Sequence, residues 1–240
     1  MKTMPSLKLI SALVLLLASG LAQAEYRDFT DQQGRTMNAE LINVMGDQVR
    51  LKRADGATFN VNPSVFCPED QEYIRVWMLT TLSQRDALFK ISAKAAGTTP
   101  KSIKGFEGVD VEKWDGYYHV DLENTSDTSL ENIEVRYCFL AFHMEVAADK
   151  RREGKTEIVR GSLTIPLLKP RSEFSFDSIK ADMMNTALQS GYVWRDGGKD
   201  DSKDKLDGIW IRLYYQGHFI SEWSSPSSLK EKYDWAKIYK

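Results

Sequence analysis

Cysteine and histidine are scarce: two cysteines and three histidines in 240 residues. The histidines, His119, His143 and His218, form no His-x-x-x-His or His-Glu-x-x-His pair, so the spacing of a zinc site is missing. No Gly-x-Ser-x-Gly nucleophile turn occurs either. We therefore expect no metal, no cofactor and no enzymatic activity. A basic excess is also lacking, with 32 Lys+Arg against 34 Asp+Glu. That balance argues against nucleic acid or an anionic membrane as partner. There is no internal repeat, no low-complexity tract, and no long apolar run after the first 24 residues, hence no expected membrane span in the remainder.

What is present begins with a leader. Lys2 and Lys8 flank the start of an apolar stretch from Leu9 to Ala18, broken only by Ser11. Ala22-Gln23-Ala24 has the small-x-small form of a signal-peptidase site, which predicts a mature start at Glu25 and a periplasmic or secreted protein. The alternative, an uncleaved anchor, has a run short for a membrane span. The leader carries two lysines and no acid, so its removal moves the formal net charge from −2 to −4. The length that remains suits one small and one medium domain.

From Tyr26 to Trp77 the pattern is that of a small barrel closed by a helix. Ala39 and Leu41, Val49 and Leu51, and Phe59 and Val61 alternate with polar residues, as half-buried strands do. Gly34, Gly46-Asp47 and Asp55-Gly56 supply turns. If Val49 and Leu51 share a face with Val61 and Phe59, then Leu51 opposes Phe59 and Arg53 opposes Ala57. That leaves Ala54-Asp55-Gly56 as a three-residue loop with Gly56 left-handed. Pro68 suits the first helical position, and Glu69 and Asp70 favour the helix start. Ile74, Trp77, Met78, Thr81, Leu82 and Arg85 then recur at helical spacing as one mostly apolar stripe.

The residues Phe29-Thr30-Asp31, Gly34-Arg35, Ala39-Glu40, Asp47 to Leu51, Asp55-Gly56 and Glu69 to Ile74 resemble the Sla-homology domain one family. This is a Src-homology-three-like barrel found in a fungal endocytic adaptor and in bacterial secreted proteins. The resemblance covers about a fifth of the chain. It implies protein or peptide binding, which in the fungal adaptor is directed to an Asn-Pro-Phe-x-Asp sorting signal. One residue departs from the family: Cys67 stands where a serine usually caps the helix, and a thiol is a poor cap.

The remainder reads as strands: one near Leu88 to Ala93, then Tyr117 to Leu122, Ile133 to Ala141, Glu157 to Leu168, Phe174 to Phe176, Ile209 to Tyr215, and a return from Phe219 to Trp223. About seven strands is the count of an immunoglobulin-like β-sandwich, without the Cys…Trp…Cys spacing of antibody domains. The segment Ala95 to Pro100 is too rich in small and breaking residues for a long regular element. The expected fold is thus mainly β. Residues 25–85 form the barrel and closing helix, 86–225 the sandwich, and 226–240 a C-terminal helical segment.

Four groups of side chains are candidates for function. Arg50, Lys52 and Arg53 form a basic strip that the strand phase places partly outward, either a peptide contact or a solvated face. A two-residue turn at Gln216-Gly217 would set Trp210 opposite Trp223, Tyr214 opposite Phe219 and Arg212 opposite Ser221. The resulting aromatic face is either a sugar platform or a surface covered by Leu229, Tyr233 and Trp235; the second fits a chain that needs its aromatics inside. Cys67 and Cys138 could bridge the two domains, closing a loop worth about 4 kcal/mol in the chain-entropy model. The alternative leaves Cys138 within the sandwich core. Asp196, Asp200, Asp201, Asp204 and Asp207 are clustered but do not fit a calcium loop, and interleaved lysines favour a solvated hairpin loop. The expected function is non-catalytic protein or peptide binding in the cell envelope. The alternatives are a carbohydrate-binding module using the aromatic hairpin, and a hydrolase whose carboxylates the sequence does not single out.

Overall fold

The computed structural model describes residues 25–148 and 153–240. Met1 to Ala24, the expected leader, lies outside the described residues. The fold is mainly β, with three sheets.

The first sheet contains β1 (Arg27–Thr30), β2 (Thr36–Met45), β3 (Gln48–Arg53) and β4 (Thr58–Val61), in that order, curled into a half-barrel. Val49 pairs with Val61 and Leu51 with Phe59, the phase read from the alternation. Arg53 N donates to Ala57 O at 2.9 Å, and Gly56 takes φ +85° in the three-residue loop. That conformation suits glycine, because a Cβ there would crowd the backbone. Phe29, Ala39, Leu41, Val49 and Leu51 point inward and are sealed by Phe66, Ile74 and Met78.

The last two belong to α1 (Pro68–Gln84), which begins after a 3-10 turn at Pro63–Val65. Cys67 occupies the N-cap and makes no side-chain cap bond, as its chemistry predicts. Asp70 does the fastening. Its buried carboxylate accepts from Thr30 N and from the Arg27 guanidinium, both at 2.6 Å, tying β1 to the helix. The expected single stripe is in fact two faces. Ile74 and Met78 enter the barrel core, whereas Leu79, with Val76 and Leu82 beside it, packs into the core of the next layers. One helix thus serves two cores.

The second sheet is built on β7 (Val109–Asn124). Before it run β5 (Phe89–Gly97) and β6 (Lys101–Ile103); β5 continues through Ala95 to Gly97, past the expected break, because β7 pairs with it throughout. Next come β8 (Leu130–Met144), β9 (Gly154–Leu168), β10 (Glu173–Asp177), β11 (Ala181–Leu188), β12 (Asp201–Lys203), β13 (Lys205–Tyr215) and β14 (His218–Ser225). β5 and β6 flank β7 on one side, β10 and β11 on the other, and β12 lies outside β11. The third sheet runs β14-β13-β8-β9. Val120, Leu122 and Met183 from one sheet meet Ile133, Val135, Phe139, Ile209 and Leu213 from the other. This is a two-layer sandwich core of alternating inward residues.

The turn after β7 is organised by Asn124, whose buried amide donates to the carbonyls of Thr128, Leu168 and Lys169 at 2.8, 3.3 and 3.1 Å. It fixes the Thr128-Ser129 backbone beside α1. The chain ends in two single-turn helices, α2 (Leu229–Lys232) and α3 (Trp235–Ile238).

Candidate functional site

A cleft of about 420 Å³ lies between α1, the barrel turn at Asn62 to Ser64, and Thr128. Its wall is largely apolar, with Pro63, Met78, Leu79 and Leu82, and Glu72 and Arg75 stand on it one helical turn apart. Glu72 Oε2 accepts from Tyr215 OH at 3.4 Å. Arg75 donates through a terminal nitrogen to Ser129 O at 3.2 Å, and its guanidinium lies 5.6 Å from the centre of the Tyr215 ring. Burial, with the Glu72 carboxylate, holds the Tyr215 hydroxyl above its ordinary pKa, although Arg75 pulls the other way. Both side chains are therefore positioned by the sandwich while presented by the barrel's helix. Among the described residues, Glu72 Oε1 and Arg75 Nε are buried with no hydrogen-bond partner. A buried acceptor and donor left open cost about 1–3 kcal/mol each.

Nothing local in the sequence singles out this pair, because Glu and Arg three apart on a helix read as solvent-facing. The basic strip is elsewhere. Arg50 Nε donates to Asn60 Oδ1 at 2.9 Å, Arg53 pairs with Asp55 at 2.8 Å, and Lys52 stands between Glu40 and Thr58. None of the three lines the cleft.

The aromatic hairpin departs from its expected register. Tyr214 does oppose Phe219, but a bulge between Leu213 and Tyr214 shifts the rest. Trp210 faces Ser224, Arg212 faces Glu222, and Trp223 faces Ile211 on the core side. Trp210 is buried beneath the C-terminal segment, edge-on to Trp235 at 4.9 Å, as the covered alternative held. Arg212 stacks over Trp210 and Trp235 and donates to Glu222 at 2.9 Å. No open aromatic platform exists among these residues.

The bridge between Cys67 and Cys138 is not formed; both thiols are free. Cys138 is enclosed with Trp210, Trp235 and Ile238, and burial pushes its pKa up to about 11. Cys67 sits at the start of α1, partly exposed. There a backbone N–H contact favours thiolate, but burial and the Asp70 and Glu69 carboxylates outweigh it and raise the pKa. Neither thiol is poised as a nucleophile.

The aspartate run also needs correction. It is a loop only as far as Asp200; Asp201 opens β12, and Asp204 forms a corner between the two sandwich sheets. Asp204 is buried and accepts from Met144 N (2.9 Å) on β8, from Met184 N (2.8 Å) on β11, and contacts His143 Nδ1 (2.8 Å). Asp201 pairs with Lys203 at 3.6 Å and Asp207 with Lys205 at 2.6 Å, while Asp196 and Asp200 are exposed. Asp204's oxygens are thus occupied by protein donors, which a cation would have to displace.

His143 is held on both sides, Nδ1 at Asp204 and Nε2 at Glu157 (3.2 Å). Burial opposes its charge, but the two carboxylates outweigh burial and raise its pKa above 6.5. The charged ring therefore stabilises the fold fully below about pH 6.5, and the gain is lost as pH rises through the higher folded value. The thermal midpoint should fall as pH rises beyond 6.5, and His143→Gln should flatten part of that fall. Identical profiles for the two proteins would dismiss the effect. His119, exposed and hydrogen-bonded at 2.7 Å to Asp177, is raised in the same direction, so the comparison must be with the variant. His218 is exposed at the β13–β14 turn.

No protein-family model matches the chain, and no curated protein matches it either.

Proposed function

We propose that this chain is a non-catalytic peptide-binding adaptor of the cell envelope, and that its ligand is an extended peptide lying in the cleft beside α1. The observation that carries the reading is the largely apolar cleft beside α1, with the carboxylate side chain of Glu72 and the guanidinium side chain of Arg75 on its wall. A peptide group offers one N–H and one C=O, the complement of a carboxylate and a guanidinium side by side. The apolar lining from Pro63, Met78 and Leu82 would receive side chains on either side of that group. The likeness of the barrel segment to Sla-homology domain one leads independently to peptide ligands. The envelope location rests on the leader pattern of residues 1–24.

A random-peptide display library selected on the chain from Glu25 tests this, followed by anisotropy titration of enriched peptides. Glu72→Ala and Arg75→Met should each weaken binding about tenfold or more, as loss of a charged hydrogen bond does, with circular dichroism unchanged. Failure to enrich any peptide, or equal binding by the variants, would remove the cleft as the site.

A further inference from the structure

The cleft beside α1 adjoins another at Leu82 and Thr128. Those two residues also line a second hollow, of about 450 Å³. Val44 and Gly46, where β2 turns into β3, form one wall of it. Asp86 and Ala87, just past α1, and the turn after β7 at Thr125 to Asp127 form the others. The β2–β3 turn also brings Asp47 to the first hollow, so barrel, helix and sandwich border both. From Glu72 to the end of α1 is about 18 Å at about 1.5 Å per residue, the reach of about five to six residues of extended chain.

Charge along this path is one-sided. Its acids are Asp47, Glu72, Asp86 and Asp127, and its bases are Arg75 and Arg171. Both bases are engaged: Arg171 pairs with Asp127 at 3.0 Å, and Arg75 donates to Ser129 O at 3.2 Å. Among the described residues, Asp47 accepts only from Asn62 Nδ2, at 3.3 Å, and the Asp86 carboxylate has no partner. Asp86 is also out of place as a structural residue. It follows the C-cap Arg85 with φ +53°, where glycine or asparagine usually ends a helix. A negative charge there opposes the helix dipole, whose C-terminal end is itself negative. The carboxylate thus works against the free chain, and a cation brought by a ligand would answer it.

We propose that the ligand of this groove is a basic peptide: an extended chain held at Glu72 and Arg75 that crosses Leu82 and Thr128 and sets a lysine or arginine side chain against Asp86. This rests on the peptide cleft proposed above and narrows its ligands to cationic ones. Selection of a random dodecapeptide display library on the chain from Glu25, with anisotropy titration of the enriched peptides, tests the two separately. Enriched peptides should carry a Lys or Arg whose change to Gln weakens binding about fivefold, as loss of a partly screened ion pair does. Asp86→Asn should weaken the parent peptide by the same factor, and the Asp86→Asn chain should bind the basic peptide and its Gln form alike. The same substitution should raise the thermal midpoint of the free chain by about 1–3 °C, because it relieves the helix end. Peptides that depend on Glu72 but carry no basic residue, unchanged binding by Asp86→Asn, or a lowered midpoint would overturn the basic ligand and leave the peptide cleft standing. No enrichment of any peptide removes both.

Discussion

Asp204→Ala should cost about 3–5 kcal/mol of stability, the largest loss expected from a single polar residue here. Three donors converge on this buried carboxylate, and two of them are backbone N–H groups on strands of different sheets. Alanine would strand both N–H groups in the interior and leave His143 without its inner partner. Asp204→Asn should recover less than half of the loss, because either orientation of the amide sets an NH₂ against a backbone N–H. Asp201→Ala, three residues away but exposed, should change stability by less than about 0.5 kcal/mol. Denaturant titration of the three variants gives the comparison. A loss below about 1 kcal/mol for Asp204→Ala would mean that apolar packing alone holds the corner.

The same residue shows where sequence reading stops. Asp204 is one of five aspartates among lysines, and nothing local separates it from the other four. Its role is set by Met144 and Met184, which are distant in sequence. Local periodicity, by contrast, was informative wherever one face alone is buried. The β3–β4 hairpin could be phased from Val49, Leu51, Phe59 and Val61, since a slip by one residue would expose all of them. The late hairpin resisted the same argument because a bulge leaves no mark in its composition: one extra residue moved Trp210 from Trp223 to Ser224. β7 is legible only from Tyr117 because its buried residues change parity, from Val109 and Val111 to Tyr118, Val120 and Leu122. β11 is hidden in the sequence because Asp182, Asn185 and Thr186 break its apolar pattern, yet β7 holds it along its whole length. The pair at Glu72 and Arg75 is invisible in the sequence for a related reason. α1 has a barrel on one side and a sandwich on the other, and a charged residue between two cores looks, in sequence, like one facing water.

Asp70→Ala should cost about 2–4 kcal/mol, with the loss confined at first to the half-barrel. Asp70 is buried, whereas its partner Arg27 is about one-third exposed, so the stranded guanidinium can turn to water and the cost stays below that at Asp204. The Thr30 N–H has no such escape, lying between β1 and the start of α1. Cys67 supplies no side-chain cap, so Asp70 is the side chain that fastens the first strand to the helix, beside the backbone bond from Cys67 N to Thr30 O (2.8 Å). Hydrogen exchange should therefore quicken at Phe29, Thr30 and Leu41 in the variant and stay unchanged at Phe139 and Ile211, whose core lies on the other side of α1. Restoring the cap with Cys67→Ser in the Asp70→Ala background should recover about 1 kcal/mol, the usual worth of a serine N-cap, because the hydroxyl can take an orphaned N–H of the first turn. Uniformly faster exchange in both cores would instead make barrel and sandwich one cooperative unit, with α1 as their shared wall rather than a joint between them.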